Sequence, residues 1–352
     1  MLDDESAVSR IDKSNMLDTL ADLPGQIKDA LQIIKTANIP DFVKIDNVIV
    51  TGMGASGISG DIVNDVFYDK LEAPLFVNKG YTIPKWADKN TLSVFLSYSG
   101  NTEETISSLK NALQKKTRII CVSSGGKLKE ISDKAGLPFI QIPGGFQPRA
   151  AVAYLLFPLI YILRQNHVIR NTVDNDVDET LTITSQYCTQ FSKKTPESEN
   201  PPKQIARLIH GTTPQLYGWG IYSSTAKRWR TQINENSKMI ARDDVVSECN
   251  HNDIVGWAGD PDSSKRWSCV IIRDKTEESV YISARLDFMR KLFEGSVARI
   301  IEVQPRGKSR LAKVIYLISL GDFMSCYLAI LRGVDPSPVD VITTLKTHLA
   351  TI

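Results

Sequence analysis

The sequence has few cysteines, little net charge and no apolar run long enough to cross a membrane. Its five cysteines are odd in number, widely spaced and without a C-x-x-C pair, so neither a disulfide framework nor a zinc or other metal site is predicted. The net charge of +2 gives no general attraction to nucleic acid or anionic lipid. The start, MLDDESAVSRID, is too acidic and polar for a secretory signal. We therefore expect a cytoplasmic protein that binds neither nucleic acid nor membranes.

The longest apolar run, AAVAYLLFPLIYIL at 150–163, contains Pro158. It is shorter than the roughly 20 residues that span a bilayer, so it predicts a buried or interface helix. Hydrophobic residues make up 42% of the chain and charged residues 23%, as in an ordinary globular protein. The length of 352 residues favours two domains.

Short apolar runs alternate with helical patterns in both halves of the chain. TLSVFLS (91–97) and RIICVSS (118–124) are strand-like in the first half, as is WSCVIIRD (267–274) in the second. Such alternation predicts parallel sheets covered on both faces. RIICVSSGGK also resembles RIIEVQPRGK (299–308), one of several similarities that indicate two related α/β units in tandem. We predict domains at 1–165 and 204–352, with a polar connector at 166–203 that ends in an exposed loop from 194.

Two glycine- and hydroxyl-rich loops follow strands of the first half. VIVTGMGASG places Gly54 and Ser56 after one strand, and SYSGNT places Ser97, Ser99 and Thr102 after another. Ligands collect at the carboxyl ends of parallel strands, where helix N-termini attract anions. The loops therefore predict a phosphate site. Since comparable loops are not preserved in the second half, we expect one phosphate site per chain.

The first loop also spells G-x-G-x-x-G, with Gly52, Gly54 and Gly57, which is typical of dinucleotide sites. Such a site needs an acidic residue about 20 positions later, at the end of the next strand. Glu72 has the right separation but precedes that strand. A phosphomonoester is therefore favoured, and a NAD-dependent oxidoreductase is the less favoured alternative.

Farther along the chain, two residues stand out by their context. Glu235, in RTQINENSK, lies between two asparagines, which are poor helix formers and indicate a helix end. Arg149 precedes the long apolar helix, where the helix dipole disfavours a cation, so an anionic partner is expected.

The last helix is expected to begin with Ser337 as its N-cap and Pro338 in its first turn. Lys346 then lies at the edge of an apolar stripe that we predict to be buried. The stripe consists of Val339, Ile342, Leu345 and Leu349.

SYSGNTEET resembles the phosphosugar-binding signature of sugar isomerase (SIS) domains. Together with GMGASGISGD, it makes the chain from about 45 to 350 similar to the bifunctional phosphoglucose/phosphomannose isomerase family. The resemblance implies an α/β fold of two tandem SIS-type, doubly wound, flavodoxin-like domains with parallel sheets. It also implies a cofactor-free homodimer that interconverts glucose 6-phosphate and fructose 6-phosphate. Whether mannose 6-phosphate is also a substrate stays open. Members of the family have a threonine that admits mannose substrates, and Ser337, Thr343 and Thr344 are alternative candidates for its position.

The resemblance also implies residue roles. The hexose 6-phosphate would be bound in the two loops, which contain Gly54, Ser56, Ser97, Ser99 and Thr102. Glu235 would be the base that forms a cis-enediol, and Arg149 would stabilise the enediolate. His251, from the partner subunit, and Lys346 would assist ring opening. The remaining alternative is a non-catalytic SIS protein that senses a phosphosugar, for which Glu235 would be dispensable.

Overall fold

The computed structural model describes residues 1–170 and 173–349, which form two compact units. The N-terminal unit comprises Asp22–Ser185 and Gly307–Val314. The C-terminal unit comprises Met1–Ala21, Gln186–Arg306 and the chain from Ile315 to Leu349, the last described residue. The domain boundaries at 165 and 204 stay a prediction.

A parallel sheet of five strands in the order β2-β1-β3-β4-β5 forms the centre of the N-terminal unit. This is the flavodoxin-like order, which confirms the predicted fold class. The strands are β1 (Asn47–Thr51), β2 (Leu75–Asn78), β3 (Thr91–Ser97), β4 (Arg118–Ser123) and β5 (Phe139–Gln141). The helices are α3 (Leu23–Thr36), α4 (Gly54–Phe67), α5 (Glu103–Gln114), α6 (Gly126–Ala135) and α7 (Val152–Gln165).

Burial in this unit follows from the sequence pattern. β3 is buried along its whole length, as expected for a central parallel strand with helices on both faces. On one face, Phe95 of β3 packs with Leu109 of α5 and Leu128 of α6. The apolar run at 150–163 forms the buried helix α7, which packs against α3 and α4 and confirms the predicted buried helix.

The C-terminal unit has a parallel sheet of four strands in the order β7-β6-β8-β9. Its strands are β6 (Thr213–Trp219), β7 (Arg242–Val246), β8 (Trp267–Ile272) and β9 (Arg299–Val303). Its helices are α1 (Glu5–Ile11), α2 (Met16–Ala21), α9 (Pro201–Ile209), α10 (Ser223–Asn236), α11 (Asp253–Gly259), α12 (Pro261–Ser264), α13 (Val280–Phe293) and α15 (Asp340–Leu349). Two further helices have residues in both units: α8 (Asp174–Phe191) and α14 (Arg310–Leu331).

Among the described residues, α14 alone is long and apolar enough to cross a membrane, by length and composition, which differs from the sequence-based expectation of no such segment. Lys313 and Asp322 interrupt its apolar run, so the run at 150–163 stood out instead. Of its apolar window, 94% is buried inside the protein, as in the core helix of a globular protein. The five cysteines are likewise buried, as free thiols.

The expected exposed loop at 194–203 is wrong at its end, because α9 begins at Pro201 and Lys203 is fully buried. The Lys203 ammonium donates to Asp3 Oδ1 at 3.0 Å and to two backbone carbonyl oxygens, of Lys193 at 3.1 Å and Thr195 at 2.7 Å. A buried charge is tolerated when its hydrogen-bonding groups are satisfied, and here three acceptors match the three N–H donors.

Candidate functional site

The two hydroxyl-rich loops lie side by side at the carboxyl edge of the first sheet, because β1 and β3 are adjacent parallel strands. Ser56, in the first turn of α4, accepts a hydrogen bond at its Oγ from the Tyr98 N–H at 3.2 Å. Gly54 has a φ of +50°, and a Cβ added there would meet no atom within 4 Å. The structure thus joins the first loop to the second and leaves open space beside Gly54.

In the second loop, the hydroxyl groups cluster at the start of α5. Ser97 Oγ accepts from the Gly100 N–H at 3.1 Å and lies 3.0 Å from Thr102 Oγ1. Ser99 Oγ accepts from the Asn101 N–H at 3.3 Å. At the N-cap positions of α4 and α5, Met53 and Thr102 make no side-chain cap hydrogen bond. Two such helix N-termini beside several hydroxyls make a suitable site for an anion.

A third loop supports the second one, and sequence analysis missed it. Ser124, which follows β4, donates from Oγ to the Tyr98 carbonyl oxygen at 2.6 Å. Gly100, with a φ of +69°, approaches Gly125 so closely that a Cβ would lie 1.7 Å from the Gly125 oxygen. The signal is present in SSGGK (123–127), where two serines and two glycines follow the strand-like run RIICV, as in the two predicted loops.

Arg149 lies in a 3-10 turn, Pro148–Ala150, directly before α7, and is 3% exposed. Its guanidinium lies 3.4 Å from Gln147 Oε1. The Tyr98 hydroxyl accepts from the Phe146 N–H at 2.8 Å, which ties the segment before Arg149 to the second loop. Burial raises the pKa of this Tyr98 hydroxyl, so it stays a neutral acceptor at physiological pH. Tyr98 is a second residue that sequence analysis missed.

Glu235 lies half-buried in the last turn of α10, at the helix end that its asparagine neighbours predicted. α10 packs tightly on α14. Arg228 forms a buried ion pair with Asp322, at 3.0 and 2.6 Å, and Trp229 Nε1 donates to the Leu317 oxygen at 2.7 Å. A Cβ on Gly321 would lie 2.2 Å from Trp229 Nε1, so only glycine permits this approach.

His251 and Lys346 lie on two other elements of the C-terminal unit. His251 ends a 3-10 turn, Glu248–His251, and is exposed. Lys346 lies on α15, which begins at Asp340, so the predicted start with Ser337 as N-cap is wrong. The predicted burial of the apolar stripe is also wrong within this chain: no residue of α15 is buried, and Leu345 is 55% exposed. The pattern identified the apolar face of the helix, but the single chain does not cover it.

In the C-terminal unit, the positions that correspond to the second loop are occupied by internal carboxylates. Asp274, after β8, accepts from the Tyr222 hydroxyl at 2.5 Å. Glu278 accepts from the Asp274 N–H at 2.8 Å and from Arg273 Nε at 2.9 Å. Carboxylates at this edge disfavour a phosphate, which supports the expectation of a single phosphate site in the N-terminal unit.

The fold and the loops define the chain as an SIS-type protein. Its structure is similar to that of a putative phosphosugar isomerase from Clostridium difficile 630, with a TM-score of 0.72 and 15% identity over 92% of this chain and 95% of that one. Residues 198–349 match the family described as the bacterial phospho-glucose isomerase C-terminal SIS domain.

Similarity to named relatives extends over nearly the whole chain. The bifunctional phosphoglucose/phosphomannose isomerase of Caldicellulosiruptor bescii is 39% identical over 96% of this chain and 99% of its own length. The enzyme of the same name from Thermoplasma volcanium is 35% identical over 92% and 97%. The chain belongs to the bifunctional phosphoglucose/phosphomannose isomerase family, which confirms the resemblance found in its sequence.

Proposed function

We propose that this protein is an aldose–ketose isomerase that interconverts glucose 6-phosphate and fructose 6-phosphate and also accepts mannose 6-phosphate. The observation that carries the proposal is the meeting of two hydroxyl-rich loops at the starts of α4 and α5, within a chain of this family. The names of its relatives support both glucose and mannose substrates. A cytoplasmic role in carbohydrate metabolism fits this activity.

The phosphate of the substrate binds in the cup between the two loops. The phosphate oxygens accept hydrogen bonds from the N–H groups in the first turns of α4 and α5. They also accept from the hydroxyl groups of the loops, which belong to Ser56, Ser97, Ser99 and Thr102. A phosphate carries close to two negative charges, which the positive ends of α4 and α5 stabilise. C1 and C2, at the other end of the sugar, are the atoms on which the reaction takes place.

Isomerisation moves one proton between C2 and C1 and a second proton between the oxygen atoms on these two carbons, through a cis-enediol. Glu235 removes the proton from one carbon and returns it to the other, so the carboxylate is regenerated in each turnover. Arg149 stabilises the negative charge that develops on the enediolate oxygen, since a guanidinium stays charged even when buried. His251 and Lys346 transfer the protons that open the sugar ring. The two carbons exchange oxidation states within one molecule, so the reaction needs no cofactor.

The proposed enzyme is a homodimer in which His251 serves the site of the partner subunit. Exposed apolar side chains lie on the elements next to His251: Val255 of α11 is 70% exposed, and Tyr281 of α13 is 78% exposed. α11 packs against the His251 turn, and Arg285 of α13 reaches Asn250 at 3.4 Å. Large exposed apolar side chains around a polar residue are typical of protein interfaces.

Glu235→Gln tests the proposed function. Removal of the base should lower kcat by about 10²–10⁴-fold, while glucose 6-phosphate still raises the melting temperature. The measurement is a coupled assay with glucose 6-phosphate and mannose 6-phosphate, with Glu130→Gln on the exposed face of α6 as the control. A folded Glu235→Gln variant with near-normal turnover would contradict the proposal. Stabilisation by NAD(H) and not by hexose phosphates would favour the oxidoreductase instead.

A further inference from the structure

The segment Asn234–Lys238 holds Glu235 in place from both sides. Asn234 Oδ1 accepts from the Ala241 N–H at 3.0 Å, beyond the end of α10. Asn236 Nδ2 donates to Ser325 Oγ of α14 at 2.9 Å, and Ser237 Oγ donates to the Ser325 carbonyl oxygen at 2.7 Å. The two asparagines, unfavourable for a helix, thus form hydrogen bonds that fix the end of α10.

Lys238 adds a second constraint on the same backbone. Its φ of +53° turns the chain sharply, and its ammonium donates to the carbonyl oxygen of Glu235 at 2.7 Å. The same ammonium donates to the Pro336 carbonyl oxygen at 2.8 Å. Pro336 lies in the segment that leads into α15, the helix of Lys346. One cation therefore connects the backbone of Glu235 to the segment that precedes the Lys346 helix, at the negative end of the α10 dipole.

We propose that Lys238 and Ser325 are positioning residues for the isomerase: they fix the backbone of Glu235, and so its carboxylate, without touching the substrate. This inference rests on the proposed function, because it takes Glu235 as the base. A half-buried glutamate has several rotatable bonds, and a fixed backbone reduces the range that its carboxylate samples. A displacement of about 1 Å from the reacting carbon lowers a rate by up to about 10²-fold.

Lys238→Met tests the inference, because it keeps the aliphatic stem and removes both hydrogen bonds. We expect kcat to fall about 10- to 100-fold while KM for glucose 6-phosphate changes by less than about twofold. The isotope effect on kcat with C2-deuterated glucose 6-phosphate should rise, since proton abstraction becomes more rate-limiting. Lys238→Arg, whose guanidinium also has several donors, should recover most of the activity.

Ser325→Ala is measured in parallel. It should also lower kcat, because it removes the Oγ atom that accepts the hydrogen bond from Asn236 Nδ2. Lys115→Met is the matched control: Lys115 follows α5 and donates to the Lys85 carbonyl oxygen at 3.0 Å, in the other unit. It should keep wild-type kinetics. If Lys238→Met does not fold, Ser325→Ala decides by the same kcat and isotope measurements.

The inference is overturned if these folded variants keep kcat and the isotope effect of the wild type, or if the Lys115 control loses activity equally. The two proposals fail in different ways. An active Glu235→Gln variant rejects Glu235 as the base and the positioning role with it. An inactive Glu235→Gln variant beside a fully active Lys238→Met variant rejects the positioning role alone.

Discussion

Lys203 joins three segments of the C-terminal unit through a single ammonium group, which also lies 5.5 Å from the centre of the Tyr327 ring. Lys203→Met would leave the carbonyl oxygens of Lys193 and Thr195 without this donor, whereas the half-exposed Asp3 carboxylate can rehydrate. We expect the free energy of unfolding to fall by about 1–3 kcal/mol. Urea unfolding followed by circular dichroism measures the change.

The control for this prediction is Lys194→Met, since Lys194 is exposed nearby. It should change stability by less than about 0.5 kcal/mol. Equal unfolding midpoints for the Lys203 and Lys194 variants would show that the buried ammonium contributes no net stability.

Residues defined by local pattern could be predicted from the sequence, and residues defined by contacts between loops could not. Ser56 and Ser97 were found because each lies in a short loop between a strand and a helix, and the glycines and serines of such a loop are consecutive in the sequence. Tyr98 was missed because its role depends on a bond to Phe146, 48 positions later. Lys203 was misjudged because a lysine among polar residues is usually exposed, and only the structure shows its three acceptors.

At the scale of whole elements, a carboxylate on α8 binds the backbone that leads into the N-terminus of α14. Glu179 accepts from the N–H groups of Lys308 at 2.6 Å and Ser309 at 2.8 Å. Burial opposes the charged form of Glu179, but the hydrogen bonds from Ser309 and Lys308 outweigh it and lower the pKa of the carboxyl group. A carboxylate at a helix N-terminus also interacts favourably with the helix dipole.

Glu179→Gln should therefore destabilise the protein in a pH-dependent way. A lowered folded-state pKa means that the stabilisation is fully present above the ordinary glutamate pKa of about 4.3 and is lost as the pH falls through the folded-state value. We expect a loss of about 1 kcal/mol at neutral pH. Urea unfolding across the pH range should show the stabilities of the two proteins converge as the pH falls from the ordinary pKa through the lowered folded-state value. A difference that stays constant with pH would contradict the electrostatic explanation.

The sequence predicted the order of elements well, and the environment of the last helix poorly. Strand–helix alternation leads to parallel sheets because short right-handed crossovers allow few other topologies. Periodicity in α15 correctly marks Ile342, Leu345 and Leu349 as one apolar face. The spacing of apolar residues shows which face of a helix favours an apolar contact. It does not show whether the residues that cover this face belong to the same chain. That information is absent from a single sequence.

At the scale of the whole molecule, the proposed sharing of His251 between subunits gives a testable consequence. If Glu235 of one subunit and His251 of its partner serve the same site, a Glu235→Gln variant and a His251→Asn variant are each inactive as homodimers. A mixed dimer then has one site with both defects and one site with neither. Such a contact between two copies would follow the two-fold symmetry that most dimers have.

Equal amounts of the two variants, unfolded and refolded together, should regain about a quarter of wild-type activity, because half of the dimers are mixed and each of these has one intact site. Each variant refolded alone is the control and should stay at its own low activity. Mixtures that vary the proportion of the two variants at a constant total amount of protein should give maximal activity at equal amounts. If His251 acted within its own subunit, every site in the mixture would contain one defect, and the activity would not exceed the average of the two controls.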